Sequence, residues 1–183
     1  FASADGTAQT VTITIAGAND AATIAGDTTG AATEDVSTAA TGALTATDTD
    51  TGESSMADKV STASTYGTYS MTSGTWTYSL DSTNSAVQAL ASGSSLSDSL
   101  SFASADGTAQ TVTITIAGAD DASVWAGTST GSVTEDDSAT TATGALTITD
   151  TDDGETPTIS DVSSTAGANG YGNFVMASGT WTY

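Results

Sequence analysis

The side chains that could do chemistry in this chain are almost all carboxylates. The sequence of 183 residues contains 22 Asp and Glu against one basic residue, Lys59, with no His and no Cys, so its formal net charge is −21. Without His, Cys or Arg the chain cannot form a Ser–His or Cys–His nucleophile pair, and no acidic pair stands out as the pair of a glycosidase. The composition therefore predicts a protein that is not an enzyme. The negative charge also predicts repulsion of nucleic acids and anionic membranes.

The acidic residues form clusters that recur along the chain. The candidate metal ligands are Asn19, Asp20, Glu34, Asp48, Asp50, Glu53, Asp120, Asp121, Glu135, Asp150, Asp152 and Glu155. Oxygen ligands with no basic residue nearby suit Ca²⁺, which binds about 6–8 oxygens in irregular geometry. The alternative is that these are solvated turn residues, because Asp is common in turns and a DxDxG sequence alone is a weak signal. Recurrence of the clusters favours calcium sites.

The clusters recur because the sequence repeats. The segment FASADGTAQTVTITIAGA occupies residues 1–18, and residues 102–119 are identical to it. The segment TGALTATDTDTGE at 41–53 is similar to TGALTITDTDDGE at 143–155. A spacing of 101 to 105 residues is the size of a small domain and predicts a tandem array of domains rather than a solenoid. We expect residues 1–19 to be the C-terminal hairpin of one repeat, 20–120 a complete repeat and 121–183 the N-terminal part of the next. The chain is then a fragment of a longer repetitive polypeptide.

Alternation of apolar and polar residues predicts an all-β fold. The expected strands of the complete repeat are 22–25, 29–34, 42–48, 67–72, 75–80, 96–104 and 109–117. Short strands separated by turn residues indicate tandem antiparallel β-sandwich repeats of Ig-like or cadherin-like topology. Hairpin turns are expected at Ser73-Gly74 with its copy Ser178-Gly179, and at Asp5-Gly6 with its copy Asp106-Gly107. Asp81 is expected to cap a helical turn through SAVQAL. The predicted core residues are Val11, Ile13, Ile15, Leu44, Trp76, Leu80, Leu90, Leu96, Leu100, Val112, Ile114, Ile116 and Trp181.

The direction of the strands predicts where the carboxylates meet. If the first strand runs away from the linker that precedes it, Glu34 lies at the far end of its repeat, and the next strand returns the DTDTGE loop to the near end. The boundary between two repeats would then gather Glu34, Asp120, Asp121, Asp150 and Asp152. Mutual repulsion among unpaired carboxylates is the physical reason to expect a cation there.

The segments TGALTATDTDTGE, GTWTYSLDSTNSAVQAL and SADGTAQTVTITIAGANDA resemble the VCBS repeats of large bacterial surface and secreted proteins. More distantly, the chain resembles cadherin repeats, whose ligand positions would map onto Glu34, Asp98, Asp120, Asp121, Asp150 and Asp152. The resemblance implies export to the cell surface or beyond, calcium at the domain junctions and a role in adhesion or biofilm matrices. The short GAND and GADD linkers lack the fuller DxNDN motif of cadherins, so the number of ions at each junction stays open.

Three functions remain for a protein of this kind. The first is an extender, stiffened by Ca²⁺, that holds an adhesive tip away from a cell. The second is a repeating subunit of an extracellular filament, sheath or surface layer, and the third is a glycan-binding module in which Trp76 stacks on a sugar. The expected partners are neighbouring repeats of the same polypeptide and other copies of the chain in a filament or matrix. No segment approaches the ~20 apolar residues that a membrane-spanning helix needs.

Overall fold

A computed structural model describes residues 1–36, 38–136 and 140–183. Its elements are β1 (Thr23–Gly26), β2 (Thr29–Thr33), β3 (Ala39–Thr47), β4 (Lys59–Ala63), β5 (Gly67–Thr72), β6 (Thr75–Leu80), α1 (Ser85–Gln88), β7 (Ser95–Ala103), β8 (Ala109–Ala117), β9 (Val124–Gly127), β10 (Thr143–Thr149), β11 (Val162–Ala166), β12 (Asn173–Ala177) and β13 (Thr180–Thr182).

The first eight strands form a sandwich of two sheets. One sheet has the order β1-β3-β6-β5-β4 and is antiparallel throughout, and the other has the order β2-β8-β7. The predicted all-β sandwich is confirmed, but the expectation of wholly antiparallel pairing is wrong for one pair, since β2 runs parallel to β8. The cause is that the chain changes sheets between β1 and β2. Gly26 permits this crossover, because its φ is +125° and a Cβ there would lie 2.2 Å from the Ala43 carbonyl oxygen.

Two differences from the predicted strands have a common cause. Strand β4 was not predicted, and β3 begins at Ala39, three residues before the predicted start at 42. Neither segment has apolar alternation: β4 exposes Val60 at 86%, and the start of β3 is AATG. Both are strands because neighbouring strands satisfy their backbone groups, as in the pairing of Ala39 with Ser79.

The core of the sandwich confirms the alternation read from the sequence. Val112, Ile114 and Ile116 on β8 are completely buried, as is Trp76 on β6. The Trp76 ring lies over two glycines of the complete repeat, Gly30 and Gly42, where a Cβ would approach the ring to 2.8 and 2.4 Å. Its indole nitrogen donates to the Asp27 carbonyl oxygen at 2.9 Å. Buried in this way, Trp76 cannot stack on a sugar, which removes the basis of the glycan-binding alternative.

The predicted helical turn exists, but its cap is a different residue. Helix α1 is capped by Asn84, whose side chain accepts a hydrogen bond from the Ala86 amide at 3.0 Å. Asp81 instead accepts from the amide and hydroxyl of Thr83 at 2.9 and 2.7 Å. Both are residues that favour caps and turns, and Asn84 is the one that directly precedes the helix.

Residues 121–183, the unit that follows the complete repeat, contain one sheet in the described part of the chain. Its order, β9-β10-β13-β12-β11, is that of the first sheet of the complete repeat. Trp181 lies over Gly131 and Gly144 as Trp76 does over its own glycines. None of the described helices is long and apolar enough to cross a bilayer.

The leading segment forms its predicted turn but not its predicted core. Gly6 has a φ of +89° and a bridge joins Ala2 to Ala8, yet Val11, Ile13 and Ile15 are 58%, 79% and 89% exposed. The prediction that these three side chains are buried is therefore wrong for this copy. A strand sequence buries its apolar side only when a second sheet covers it, and none of the described residues does so.

Candidate metal centre at the boundary between repeats

Three strand ends deliver the carboxylates to the boundary between the complete repeat and the next unit. Strand β2 ends just before Glu34, β8 ends just before the linker that carries Asp120 and Asp121, and β10 ends just before the loop from 150 to 155. The parallel pairing of β2 with β8 extends to a hydrogen bond from the Glu34 amide to the Ala117 carbonyl oxygen at 3.0 Å. This pairing places Glu34 beside the linker.

The end of helix α1 contacts all three parts of the boundary. The Gln88 side-chain amide donates to Glu34 Oε1 at 2.9 Å, and the Ala89 carbonyl oxygen accepts from the Asp153 amide of the next unit at 2.9 Å. The linker passes so close that a Cβ on Gly118 would lie 1.8 Å from the Leu90 carbonyl oxygen. The helix end thus joins the two units directly.

The carboxylates of the loop from 150 to 155 accept hydrogen bonds from the loop itself and from the linker side. Asp150 accepts from the Asp152 amide at 3.0 Å through Oδ1 and from the Ser123 hydroxyl at 2.6 Å through Oδ2. Asp152 Oδ2 accepts from the Asp121 amide at 2.9 Å. These bonds tie the loop to the linker and leave other carboxylate oxygens free to bind a cation.

Two carboxylate oxygens at the boundary, one on Glu34 and one on Asp152 of the loop, are buried without a partner among the described residues. Glu34 is 1% exposed and Asp152 is 3% exposed, and among the described residues neither Glu34 Oε2 nor Asp152 Oδ1 has a hydrogen-bond donor. A buried carboxylate oxygen without a donor or a cation is costly. The ligand oxygens of Asp120, Asp152 and Glu155 also lie within 4.8 Å of one another.

The pKa values show that the boundary disfavours negative charge. Burial raises the pKa of Glu34, and the charges of Asp121, Asp35 and Asp152 raise it further. Burial is the largest cause that raises the pKa of Asp121, and repulsion from the Asp152 charge is the next. The pKa of Glu155 is raised by the same two causes, with Asp120 as the first of the repelling charges. The Ser123 hydroxyl lowers the pKa of Asp150, so that this group stays ionised among the others.

A second cluster at the N-terminal end of the complete repeat has the same construction. Asp48, Asp50 and Glu53 have ligand oxygens within 4.8 Å of one another. Asp50 accepts from the Asp20 amide at 2.7 Å, and the Asp50 amide donates to Asp48 at 2.7 Å. Asp48 Oδ2 and Glu53 Oε2 lack partners among the described residues. Burial, and then the charges of Asp48 and Asp50, raise the pKa of Glu53.

Four of the residues predicted as ligands contribute no side chain to the two clusters, namely Asn19, Asp20, Asp98 and Glu135; Asp20 is exposed and contacts Asp50 only through its backbone amide. Asp98 is buried in β7, where it accepts from the amides of Thr65 and Tyr66 at 3.3 and 3.0 Å and from the Tyr78 hydroxyl at 3.0 Å. Glu135 is exposed after the unpaired segment that corresponds to β2. Asn19 is exposed too, and its amide donates to the Asp20 carbonyl oxygen at 3.0 Å.

Sequence reasoning missed other residues that build these clusters. Asp106 accepts from the Ala22 amide at 3.0 Å and is one of the charges that raise the pKa of Glu53. Its segment SADGT is part of the exact repeat, so the signal for Asp106 was present. Nothing in the sequence marked Gln88, because its role depends on where α1 packs.

Comparison with known families bears on this arrangement. The model of the bacterial cadherin-like domain family matches residues 19–118, which is more than half of the chain. No curated protein matches the chain. The match is to this family and not to VCBS repeats as such, so the narrower resemblance stays a prediction.

Proposed function

Because the chain belongs to the bacterial cadherin-like domain family, we propose that it is an extender of an extracellular bacterial adhesion protein and that Ca²⁺ stiffens it. The Ig-like fold of this family is structural and non-enzymatic, and cadherin-like domains are typically extracellular or at the cell surface. The observation that carries the calcium proposal is the pair of buried, unpartnered oxygens on Glu34 and Asp152.

The ligands at the boundary come from both repeats and from the linker. Glu34 belongs to the complete repeat, Asp120 and Asp121 to the linker, and Asp152 and Glu155 to the following unit. A bound Ca²⁺ supplies positive charge where burial and mutual repulsion raise the pKa values of the carboxylates. Since its ligands lie on two units, the ion opposes rotation of one unit against the other.

Without Ca²⁺, the stiffness of the boundary depends on the direct contacts between the two units. Among the described residues, the hydrogen bond from the Asp153 amide to the Ala89 carbonyl oxygen joins the two units, and the unpaired carboxylates oppose this contact. The apo boundary is therefore a weak hinge between units that remain folded. Each occupied site stabilises the folded state by ~2.7 kcal/mol at a hundredfold excess of Ca²⁺ over its dissociation constant.

Small-angle scattering and thermal unfolding of the chain in Ca²⁺ and in chelator test this proposal. The critical variant is Asp152→Asn, and its matched control is Asp153→Asn, which removes the same charge from an exposed neighbour in the same loop. Both variants keep the backbone amide of residue 153. We expect Ca²⁺ to raise the melting temperature and narrow the distribution of shapes in the parent and the control, and to do so only weakly in Asp152→Asn.

Two results would contradict the proposal. A melting temperature that does not change when Ca²⁺ is exchanged for chelator would show that the chain binds no stabilising Ca²⁺. Equal responses of Asp152→Asn and Asp153→Asn show that the ion binds elsewhere.

A further inference from the structure

The two oxygens of the Glu34 carboxylate have different surroundings. Oε1 accepts a hydrogen bond from the Gln88 side-chain amide at 2.9 Å, whereas Oε2 is buried and has no partner among the described residues. Glu34 as a whole is 1% exposed, so bulk solvent does not replace the missing donor. The Gln88 amide therefore determines which oxygen of Glu34 stays available.

The backbones on both sides of this hydrogen bond are fixed independently. Glu34 directly follows β2, and its amide donates to the Ala117 carbonyl oxygen at 3.0 Å. Gln88 is the last residue of α1, and its amide donates to the Asn84 carbonyl oxygen at 3.0 Å. The completely buried Val87 anchors the same helix in the core. Since β2 and α1 are each held by other contacts, the bond between the side chains orients the Glu34 carboxylate.

A glutamine suits this position because it donates a hydrogen bond without adding a charge. Its carboxamide holds the carboxylate in one orientation and does not neutralise it. A Lys or Arg would supply the same bond but would also cancel the negative charge that attracts a cation. The one basic residue of the chain, Lys59, lies instead with its ammonium 5.2 Å from the centre of the Tyr69 ring.

We propose that Gln88 is a positioning residue of the boundary site: by holding Glu34 Oε1, it keeps Oε2 available to bind Ca²⁺. This inference rests on the proposed function and deepens it, since it names a residue that sets the affinity of the same site. The charges of Asp121 and Asp152 act on Glu34, and without the amide this repulsion favours rotamers that turn Oε2 away from the other ligands. Loss of a hydrogen bond that orients a metal ligand typically lowers metal affinity ~10–100-fold.

The variant Gln88→Met tests the role of the amide. Methionine has a similar length and an unbranched apolar stem, but it has no N–H donor for Glu34. It changes no backbone group at the boundary. The matched control is Gln110→Met, since the Gln110 side-chain amide donates to the Thr111 carbonyl oxygen at 2.8 Å, near the opposite end of β8 from the linker.

Calcium titrations followed by NMR at two equivalent amides measure the two acidic clusters separately. The Asp152 amide lies in the loop at the boundary, and the Asp50 amide lies in the corresponding loop of the other cluster. We expect Gln88→Met to raise the Ca²⁺ midpoint reported by Asp152 ~10–100-fold and to leave the response of Asp50 unchanged. Gln110→Met should change neither. Gln88→Ala, which removes the donor by truncation, should shift the Asp152 midpoint in the same direction.

A double-mutant cycle with Glu34→Gln separates positioning of the ligand from a general effect on folding. If Gln88 acts through Glu34, Gln88→Met should change the Asp152 midpoint little further in the Glu34→Gln background. A purely structural role would instead lower the melting temperature in chelator and leave the Asp152 midpoint as it is in the parent.

The outcomes distinguish this inference from the proposed function. A parent chain whose Asp152 amide does not respond to Ca²⁺ would overturn both the boundary site and the role of Gln88. A parent that responds, together with the same midpoint in Gln88→Met and Gln88→Ala, would overturn the role of Gln88 alone. An equally large shift with and without Glu34→Gln would also overturn it, because the effect would then not pass through Glu34.

Discussion

Replacement of Asp98 by Asn separates a structural carboxylate from a metal ligand. The resemblance to cadherins maps a ligand position onto Asp98, but the structure surrounds its carboxylate with the amides of Thr65 and Tyr66 and the hydroxyl of Tyr78. Burial, reinforced by the hydrogen bond to Asp98, raises the pKa of Tyr78, so this hydroxyl remains a donor. Asp98 thereby holds the turn between β4 and β5 against β7.

The expected loss follows from these contacts. The introduced carboxamide would keep one acceptor oxygen but direct an NH₂ group at a neighbouring donor, and a hydrogen bond to a charged acceptor contributes ~1.5–3 kcal/mol. We therefore expect Asp98→Asn to lower the free energy of unfolding by at least ~1.5–3 kcal/mol, the range for losing a hydrogen bond to a charged acceptor. Because a domain has only ~5–15 kcal/mol in total, this loss is a large fraction of it.

Chemical unfolding followed by circular dichroism, in Ca²⁺ and again in chelator, measures the effect. The control is Asp81→Asn, since Asp81 is exposed in a turn that Asn also suits. We expect Asp98→Asn to lose the same stability with and without Ca²⁺, and Asp81→Asn to lose little. A loss below about 1.5 kcal/mol, the lower limit for a single hydrogen bond to a charged acceptor, would refute the structural role. A loss confined to Ca²⁺ would show that Asp98 is a metal ligand.

The pH dependence of the Asp98 contribution has a definite sign. Burial by itself raises the pKa of Asp98, but hydrogen bonds to the carboxylate outweigh burial and leave the pKa below its ordinary value of 3.8. The ionised group therefore stabilises the fold above the ordinary pKa, and this contribution disappears as the pH falls through the lower, folded value. Unfolding curves below pH 3.8 should converge for the parent and Asp98→Asn.

Three further expectations follow from the core and from the boundary. Trp76→Ala should cost ~3–5 kcal/mol in chemical unfolding as a buried large-to-small change, whereas Trp125→Ala, at a half-exposed indole, should cost much less; equal losses would contradict this account of the core. Gly42→Ala should destabilise the repeat detectably in the same assay, because its Cβ would lie 2.4 Å from the Trp76 ring, and an unchanged midpoint would contradict the close contact. Because the pKa of Glu34 is raised in the folded state, the free energy of unfolding in chelator should fall as the pH rises from about 4.5. Ca²⁺ should suppress this fall, and Glu34→Gln should reduce it. A free energy of unfolding that instead rises as the pH increases from about 4.5 would contradict the assigned sign.

Alternation along the strands let the sequence predict much of the core. In β8, Val112, Ile114 and Ile116 alternate with threonines, and a pleated strand must direct such residues to opposite faces. The hairpin turn at Ser73-Gly74 was also predictable, since both residues have positive φ and glycine favours that conformation. Strand β4 was not predictable, because its backbone pairing leaves no periodic trace in its side chains.

Some parts of the candidate metal site could also be predicted from the sequence. Local sequence was enough to place Asp150 and Asp152 in one loop, because residues two apart in a turn hydrogen-bond through the nearby backbone. The direction of the strands was enough to bring Glu34 towards that loop across the repeat boundary.

Only the tertiary structure separated Asp98 from Glu34. Both are acidic and both are buried, but Asp98 accepts hydrogen bonds from backbone amides and a tyrosine hydroxyl, whereas Glu34 Oε2 has no donor among the described residues. The difference arises from the parallel pairing of β2 with β8 and from the packing of α1. A residue type determines that a carboxylate can be charged, but the groups that stabilise its charge come from distant parts of the chain.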